Sequence, residues 1–311
     1  MTPPHIAVLC ATRRGIRFVD RLAQLAPDAH LTVFSFREEP HEPPFFDELR
    51  TLVETHGQFF EARKVGSEKW NAFWHATPPD LMFMVSWRYL VPPAVYERAR
   101  LGAYVFHDSL LPEYRGFSPT VWAILNGEDH TGVTLFEIAE GVDNGPIIAQ
   151  RRIPIGPDDS IAEVLPRVTD AYLELLTEQL PALLAGTAPR KAQDHSQATY
   201  TCRRLPEDNQ IDWSRPAAEI HDLIRAVTAP YPGAYTTLGG KPLRVWSAWR
   251  MPNYSRFVGV VPGRVVEVLP GVGSVVLTGA GTLLLKDVQL ADGPRQNAAD
   301  VLNRLSHTLG R

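Results

Sequence analysis

Gly102-Ala103-Tyr104-Val105-Phe106-His107-Asp108-Ser109 is an apolar run that ends on a histidine, an aspartate and a serine. A short run of apolar, β-branched and aromatic residues without alternation reads as a strand buried on both faces, as in parallel sheets. The chain then turns through Leu110-Leu111-Pro112-Glu113-Tyr114-Arg115-Gly116-Phe117-Ser118-Pro119, and Thr120-Val121-Trp122-Ala123-Ile124 opens a helix. After one more strand comes the turn Val142-Asp143-Asn144-Gly145. His107 and Asp143 are the two groups best suited to carry chemistry. The chain reverses twice between them, so folding can bring them together.

Working outward toward the N-terminus, His5 to Thr12, Leu31 to Phe36, Phe59 to Ala62 and Asp80 to Trp87 read as strands. The stretches between them carry apolar residues at helical spacing, such as Phe18, Leu22 and Leu25, or Trp70, Phe73 and Trp74. Glu38 to Phe46 is acidic and proline-rich, hence a loop. Strands alternating with helices at this spacing predict a doubly wound parallel sheet. Ligands bind beyond the carboxyl ends of such strands, which is where Trp87-Arg88-Tyr89 and His107-Asp108-Ser109 would lie. Arg13 and Arg14 follow the first strand. They are either solvated surface or a phosphate contact at a helix N-terminus.

Downstream, Thr131 to Ile138 and Pro146 to Ile155 read as strands. Ile161 to about Leu184 is a long helix whose apolar positions recur at helical period. Thr187 to Pro206 is polar and irregular. The expected organisation is a Rossmann-like domain over residues 1–190, a linker over 191–206 and a smaller domain over 207–311. The last opens with a helix over Pro216 to Val227. It continues as short strands broken by glycine, the pattern of a small β-barrel.

The 311 residues fit two domains and carry a net charge of -4, with 44% hydrophobic and 21% charged residues. Those are values for an ordinary globular protein, and they give no electrostatic reason to bind nucleic acid. Cys10 and Cys202 are the only cysteines, far apart, so a reducing compartment is expected rather than a disulfide scaffold. No Cys/His spacing implies a metal. Neither a leader peptide nor a membrane-spanning run is expected, and the default location is cytoplasmic.

The motifs together resemble the 10-formyltetrahydrofolate-dependent formyltransferases. They are His107 to Pro112, Tyr114-Arg115-Gly116, Pro119, Trp122-Ala123-Ile124, Gly127-Glu128, Thr131 to Thr134 and Asp143-Asn144-Gly145. Ile211-Asp212-Trp213, Arg225-Ala226 and Pro230 to Ala234 match the second domain of methionyl-tRNA formyltransferase, and that of the bacterial enzyme formylating a nucleotide-linked aminoarabinose. The resemblance implies a Rossmann-like catalytic domain followed by an OB-like barrel. It also implies 10-formyltetrahydrofolate as co-substrate, held by Ser86, Trp87, Arg88, Tyr89, Leu90 and Val91 and by Ala139, Glu140, Gly141 and Val142.

Formyl transfer requires an amine that loses a proton, an oxyanion that is stabilised, and a folate nitrogen that is protonated as it leaves. A histidine oriented by a carboxylate suits the proton work, and His107 and Asp143 supply that pair. The family's third catalytic group is an asparagine two positions before the histidine. Here that position is Val105, which donates nothing. Ser109, a charged His107 or water would have to replace it. Ser109 is equally read as a cap of its turn. Arg115, with Gly116 beside it, either grips a substrate anion or pins its loop, and Arg13 is the remaining substrate-binding candidate. The expected acceptor is a small amine, foremost a nucleotide-linked amino sugar. Methionyl-tRNA, hydrolysis of formylfolate, and folate or nucleotide binding without catalysis are the alternatives. A homodimer is compatible with the resemblance.

Overall fold

The computed structural model describes residues 2–39 and 42–311. Pro40 and His41, part of the loop expected over Glu38 to Phe46, lie outside the described residues, as does Met1. The chain divides into two compact units. The first is Met1–Pro119, Thr131–Ile153 and Pro166–Thr201; the second is Thr120–His130, Pro154–Leu165 and Cys202–Arg311.

The first unit begins with β1 (His5–Cys10), α1 (Thr12–Leu25), β2 (His30–Ser35), α2 (Phe46–Glu54), β3 (Gly57–Glu61), α3 (Glu68–Ala76), β4 (Leu81–Val85), α4 (Pro93–Tyr96) and β5 (Ala103–His107). A two-residue strand β6 (Arg115–Gly116) follows; the next helix along the chain, α5 (Pro119–Leu125), belongs from Thr120 onward to the second unit. Then come β7 (His130–Glu137), β8 (Ile147–Pro154), α6 (Ile161–Leu184) and a second two-residue strand, β9 (Tyr200–Thr201). The main sheet has the order β3-β2-β1-β4-β5-β7-β8. Its first five strands are parallel, as expected from the sequence, whereas β7 runs antiparallel to β5. An antiparallel neighbour needs no crossover helix. Strand order reverses between β1 and β4, which opens the usual ligand crevice beyond Cys10 and Val85.

Burial explains why these runs became strands. β1 and β4 are buried from Ile6 to Cys10 and from Leu81 to Val85. Cys10 is fully buried, which pushes its thiol up. One sheet face is covered by α1, which buries Phe18, Val19 and Leu22 at helical spacing. The Phe18 ring meets Phe83 and Phe106 edge-on at 5.6 and 5.1 Å. On the other face Phe34 lies 4.8 Å from both Trp70 and Trp74, so that tryptophan pair is core. Edge-to-face packing of this kind adds to area burial.

The second unit carries α7 (Ala217–Val227), β10 (Ala234–Leu238), β11 (Lys241–Arg250), β12 (Val265–Leu269), β13 (Gly273–Leu277), β14 (Thr282–Leu290), β15 (Arg295–Asn297) and α8 (Ala298–Val301). Its strands pair antiparallel in the order β10-β11-β14-β13-β12, with β15 beside β14. The last residues bridge both edges of that path, Leu309 to Leu238 and Thr308 to Arg264. The expected OB-like barrel is therefore closed through the C-terminal segment, which leaves no long open edge. β12 begins only at Val265, and 259–264 are irregular.

Candidate active site

Along β5 the side chains alternate. Phe106 enters the core, whereas Val105 and His107 share the opposite face. His107 is the last residue of the strand and pairs with Thr134 of β7. Its ring is buried, at 8% exposure. Nε2 lies 2.8 Å from the Tyr114 carbonyl oxygen, and Nδ1 lies 3.6 Å from Asp143 Oδ2. A carbonyl only accepts, so Nε2 carries the hydrogen and the lone pair of the neutral ring sits on Nδ1, toward Asp143.

Asp143 is placed by its backbone. Its φ is +47°, in the left-handed region. Oδ2 accepts the Gly116 N–H at 2.8 Å. Two glycines make this possible. Gly116 has φ +107°, and a Cβ there would stand 2.5 Å from the Thr201 carbonyl oxygen. A Cβ on Gly145 would stand 1.8 Å from the Glu137 carbonyl oxygen. Neither contact tolerates a side chain, so the turn that carries the carboxylate and the loop that meets it both require glycine.

The other expected residues fall into distinct places. Ser109 is buried, and its hydroxyl donates to the Glu113 carbonyl at 2.6 Å, closing the turn after His107. Arg115 is 2% exposed. Its guanidinium donates to Gln193 Oε1, to the Tyr200 hydroxyl and to His195 Nδ1. It is thus spent on protein partners. Arg13 stands in solvent beside Glu48 and is not brought to His107. Its neighbour Arg14 instead grips Asp108 through both carboxylate oxygens at 2.9 and 3.0 Å, with the Tyr172 hydroxyl on the same carboxylate. Burial first, and then the charge of Asp108, hold the Tyr172 hydroxyl well above its ordinary value.

The loop Ser86–Val91 leaves β4 next to β5. Ser86 adopts φ +54°, and Trp87 packs against Phe36 and Tyr89 at 5.4 and 5.7 Å. Arg88 pairs with Glu42 and Val91 is buried, whereas Leu90 is 94% exposed. The Trp87 indole N–H is buried without a partner. Ala139 to Val142 lead directly into Asp143, and Val142 is exposed. Val105 lies between Met84 and Phe136 and packs on Leu111, Phe136 and Ile147.

One contributor carried no signal in the sequence. After α6 the chain pairs with Ile147 at Lys191 and then, through β9, with β6. Between them the buried Gln193 amide donates to the carbonyls of Asp143 and Gly145 at 2.9 and 2.7 Å and accepts from Arg115. A lone glutamine in a polar run has no periodicity or motif to mark it. Among the described residues no group of three or more His, Cys, Asp or Glu side chains is arranged to hold a metal ion. No described helix is long and apolar enough to cross a membrane.

A mostly parallel sheet with a buried histidine facing a carboxylate at the carboxyl end of β5 is joined in sequence to an antiparallel barrel. The chain belongs to the formyl transferase family: the family matches residues 20–180, and the formyl transferase C-terminal domain matches residues 205–306. Similar solved structures include HypX from Aquifex aeolicus in complex with tetrahydrofolic acid, at 17% identity and TM-score 0.64, covering 97% of this chain and 47% of that one. The chain thus spans about half the length of HypX. An N-formyltransferase from Helicobacter canadensis, in complex with folinic acid and dTDP-3-aminofucose, matches at 17% identity and TM-score 0.64 over 94% of this chain and 99% of that one. Methionyl-tRNA formyltransferase from Clostridium thermocellum matches at 19% identity and TM-score 0.55, over 81% and 95%.

Proposed function

We propose that this protein transfers a formyl group from 10-formyltetrahydrofolate to an amine, with His107 and Asp143 moving the proton. The observation that carries this reading is the His107 ring, held by the Tyr114 carbonyl with its basic Nδ1 facing the Asp143 carboxylate. That nitrogen takes the proton released by the amine, and the carboxylate 3.6 Å away stabilises the resulting imidazolium. The gap is longer than a hydrogen bond, as is common before substrate binds. Returning the proton from Nδ1 assists departure of the folate nitrogen.

The residues present fit the folate. The buried, unpartnered Trp87 N–H, the aromatic group Phe36–Trp87–Tyr89 and the exposed Leu90 provide an amide-recognising and ring-stacking edge on Ser86–Val91. Ala139 to Val142 supply the second edge beside Asp143. Bound there, the folate supplies an electrophilic formyl carbon.

The acceptor we favour is a nucleotide-linked amino sugar, in the cytoplasm. The near-neutral second domain supports it over methionyl-tRNA, because phosphate contacts along nucleic acid draw on clustered Lys and Arg. The test is release of tetrahydrofolate from 10-formyltetrahydrofolate, followed by absorbance, with nucleotide-linked amino sugars, hydroxyornithine and methionyl-tRNA offered in turn. Release that requires an amino sugar, with a product heavier by one formyl group, is expected. Release without any amine would make the protein a hydrolase, and folate binding without release would remove the transferase reading.

A further inference from the structure

We propose that Gln193 is a positioning residue that sets the Asp143 carboxylate for its work on His107. Its kinetic consequence rests on the formyl-transfer reading above; its geometric consequence does not.

Asp143 occupies a left-handed conformation that only glycine adopts without cost, so its surroundings must hold it there. Besides the Gly116 N–H on its carboxylate and the Asn144 amide on the Glu140 carbonyl, one buried side chain grips the turn. Gln193 Nε2 donates to the carbonyls of Asp143 and Gly145, gripping both sides of the turn at 2.9 and 2.7 Å. Gln193 Oε1 accepts from Arg115 Nε and Nη2 at 3.2 and 2.6 Å. These partners fix the amide orientation, since the reverse would face NH2 to a guanidinium and oxygen to two carbonyls. Arg115 is followed by Gly116, whose N–H orients the Asp143 carboxylate. The single amide therefore ties the backbone that bears the carboxylate to the residue preceding the donor that aims it. Gln193 is itself 7% exposed and lies between the two spans that the family matches, in neither of them. Among the described residues Arg115 has no carboxylate partner, so Gln193 is its principal acceptor.

A merely structural glutamine would change stability without changing where Asp143 points. The Gly116 amide reports that direction. Arginine–glycine pairs occur only at Arg14-Gly15 and Arg115-Gly116, so labelling with 13C-arginine and 15N-glycine isolates two resonances. Four variants of the full chain are compared: Asp143→Ala, Gln193→Ala, Gln193→Glu and Tyr200→Phe. Gln193→Glu keeps an acceptor for Arg115, and thus the fold, but turns an oxygen toward the two carbonyls. We expect both Gln193 variants to move the Gly116 resonance toward its position in Asp143→Ala. Tyr200→Phe removes only a hydroxyl from Arg115 and should leave it in place. Turnover in the Gln193 variants should fall about 100-fold with the folate KM unchanged, as for a misplaced catalytic group. Added to Asp143→Ala, Gln193→Ala should cost no further rate. A Gly116 resonance unmoved in Gln193→Glu would overturn the proposal, as would full additivity of the two rate losses. If the wild-type protein transfers no formyl group, the resonance comparison alone decides, and the failure of the functional reading is seen separately.

Discussion

His107 and Asp143 have separate structural supports, so each can be removed without unmaking the other. His107 is anchored by its strand and by the Tyr114 carbonyl, Asp143 by its turn and the Gly116 N–H. His107→Ala or Asp143→Ala should therefore lower turnover by about 10²- to 10⁴-fold. The thermal midpoint should change little, and normal turnover in either variant would remove the assignment. Val105 poses the opposite problem. It faces the same side of β5 as His107 and donates nothing, while Ser109 and His107 Nε2 are both committed to backbone carbonyls. Val105→Asn offers an amide at that point. We expect a rate gain approaching the 10²- to 10³-fold worth of one oxyanion donor. A stability cost of about 1–3 kcal/mol should accompany it, because the amide replaces packing on Phe136 and Ile147. No gain in rate would place the oxyanion donor elsewhere.

At the scale of elements, the turn between β7 and β8 is the part most sensitive to small change. Gly145→Ala drives a methyl into the carbonyl of Glu137, the residue whose N–H donates to the Pro146 carbonyl and so pairs the turn to β7. Destabilisation of about 1–3 kcal/mol by denaturant titration is expected, with loss of turnover, since Asp143 moves with the turn. A second element effect lies at the opposite end of the sheet. His5 begins β1, bonds Thr32 and sets its ring 5.4 Å from that of His30, tilted by 45°, with Asp80 and Arg100 close by. Burial, opposed by its bond to the Pro78 carbonyl, lowers the His5 pKa. A histidine kept neutral in the fold leaves stability intact above its unfolded value near 6.5 and removes it as pH falls below, where the unfolded chain takes up the proton first. The thermal midpoint should therefore drop as pH falls below about 6.5, and His5→Gln should flatten that slope. An unchanged slope would remove His5 as its source.

At the scale of the whole molecule, ionic strength separates the two acceptors under the proposed reaction. Binding a nucleic acid releases one counterion per neutralised phosphate, so affinity for methionyl-tRNA would fall by orders of magnitude between 50 and 200 mM salt in the manner described for polyanions. A nucleotide-linked sugar carries few phosphates. We expect its KM to rise only a few-fold over about the same range. A steep salt dependence with tRNA as the better acceptor would reverse the proposal.

Much of this protein was legible in the chain alone. Buried strands such as Ile6 to Cys10 and Leu81 to Val85 must be apolar throughout, and helices such as α1 must repeat their apolar face, so both announce themselves by pattern. His107, Asp143 and the glycines beside them stand in a sequence motif that resembles the family's. What pattern could not show is whatever depends on chain segments meeting across long separations. The antiparallel β7, the closure of the barrel through Thr308 and Leu309, the burial of Arg115 and the grip of Gln193 on the Asp143 turn are of this kind. A hydrogen bond between residues 50 positions apart leaves no local trace. Only the tertiary structure decided that Arg115 is held by the protein and that a glutamine from an irregular segment completes the setting of the carboxylate.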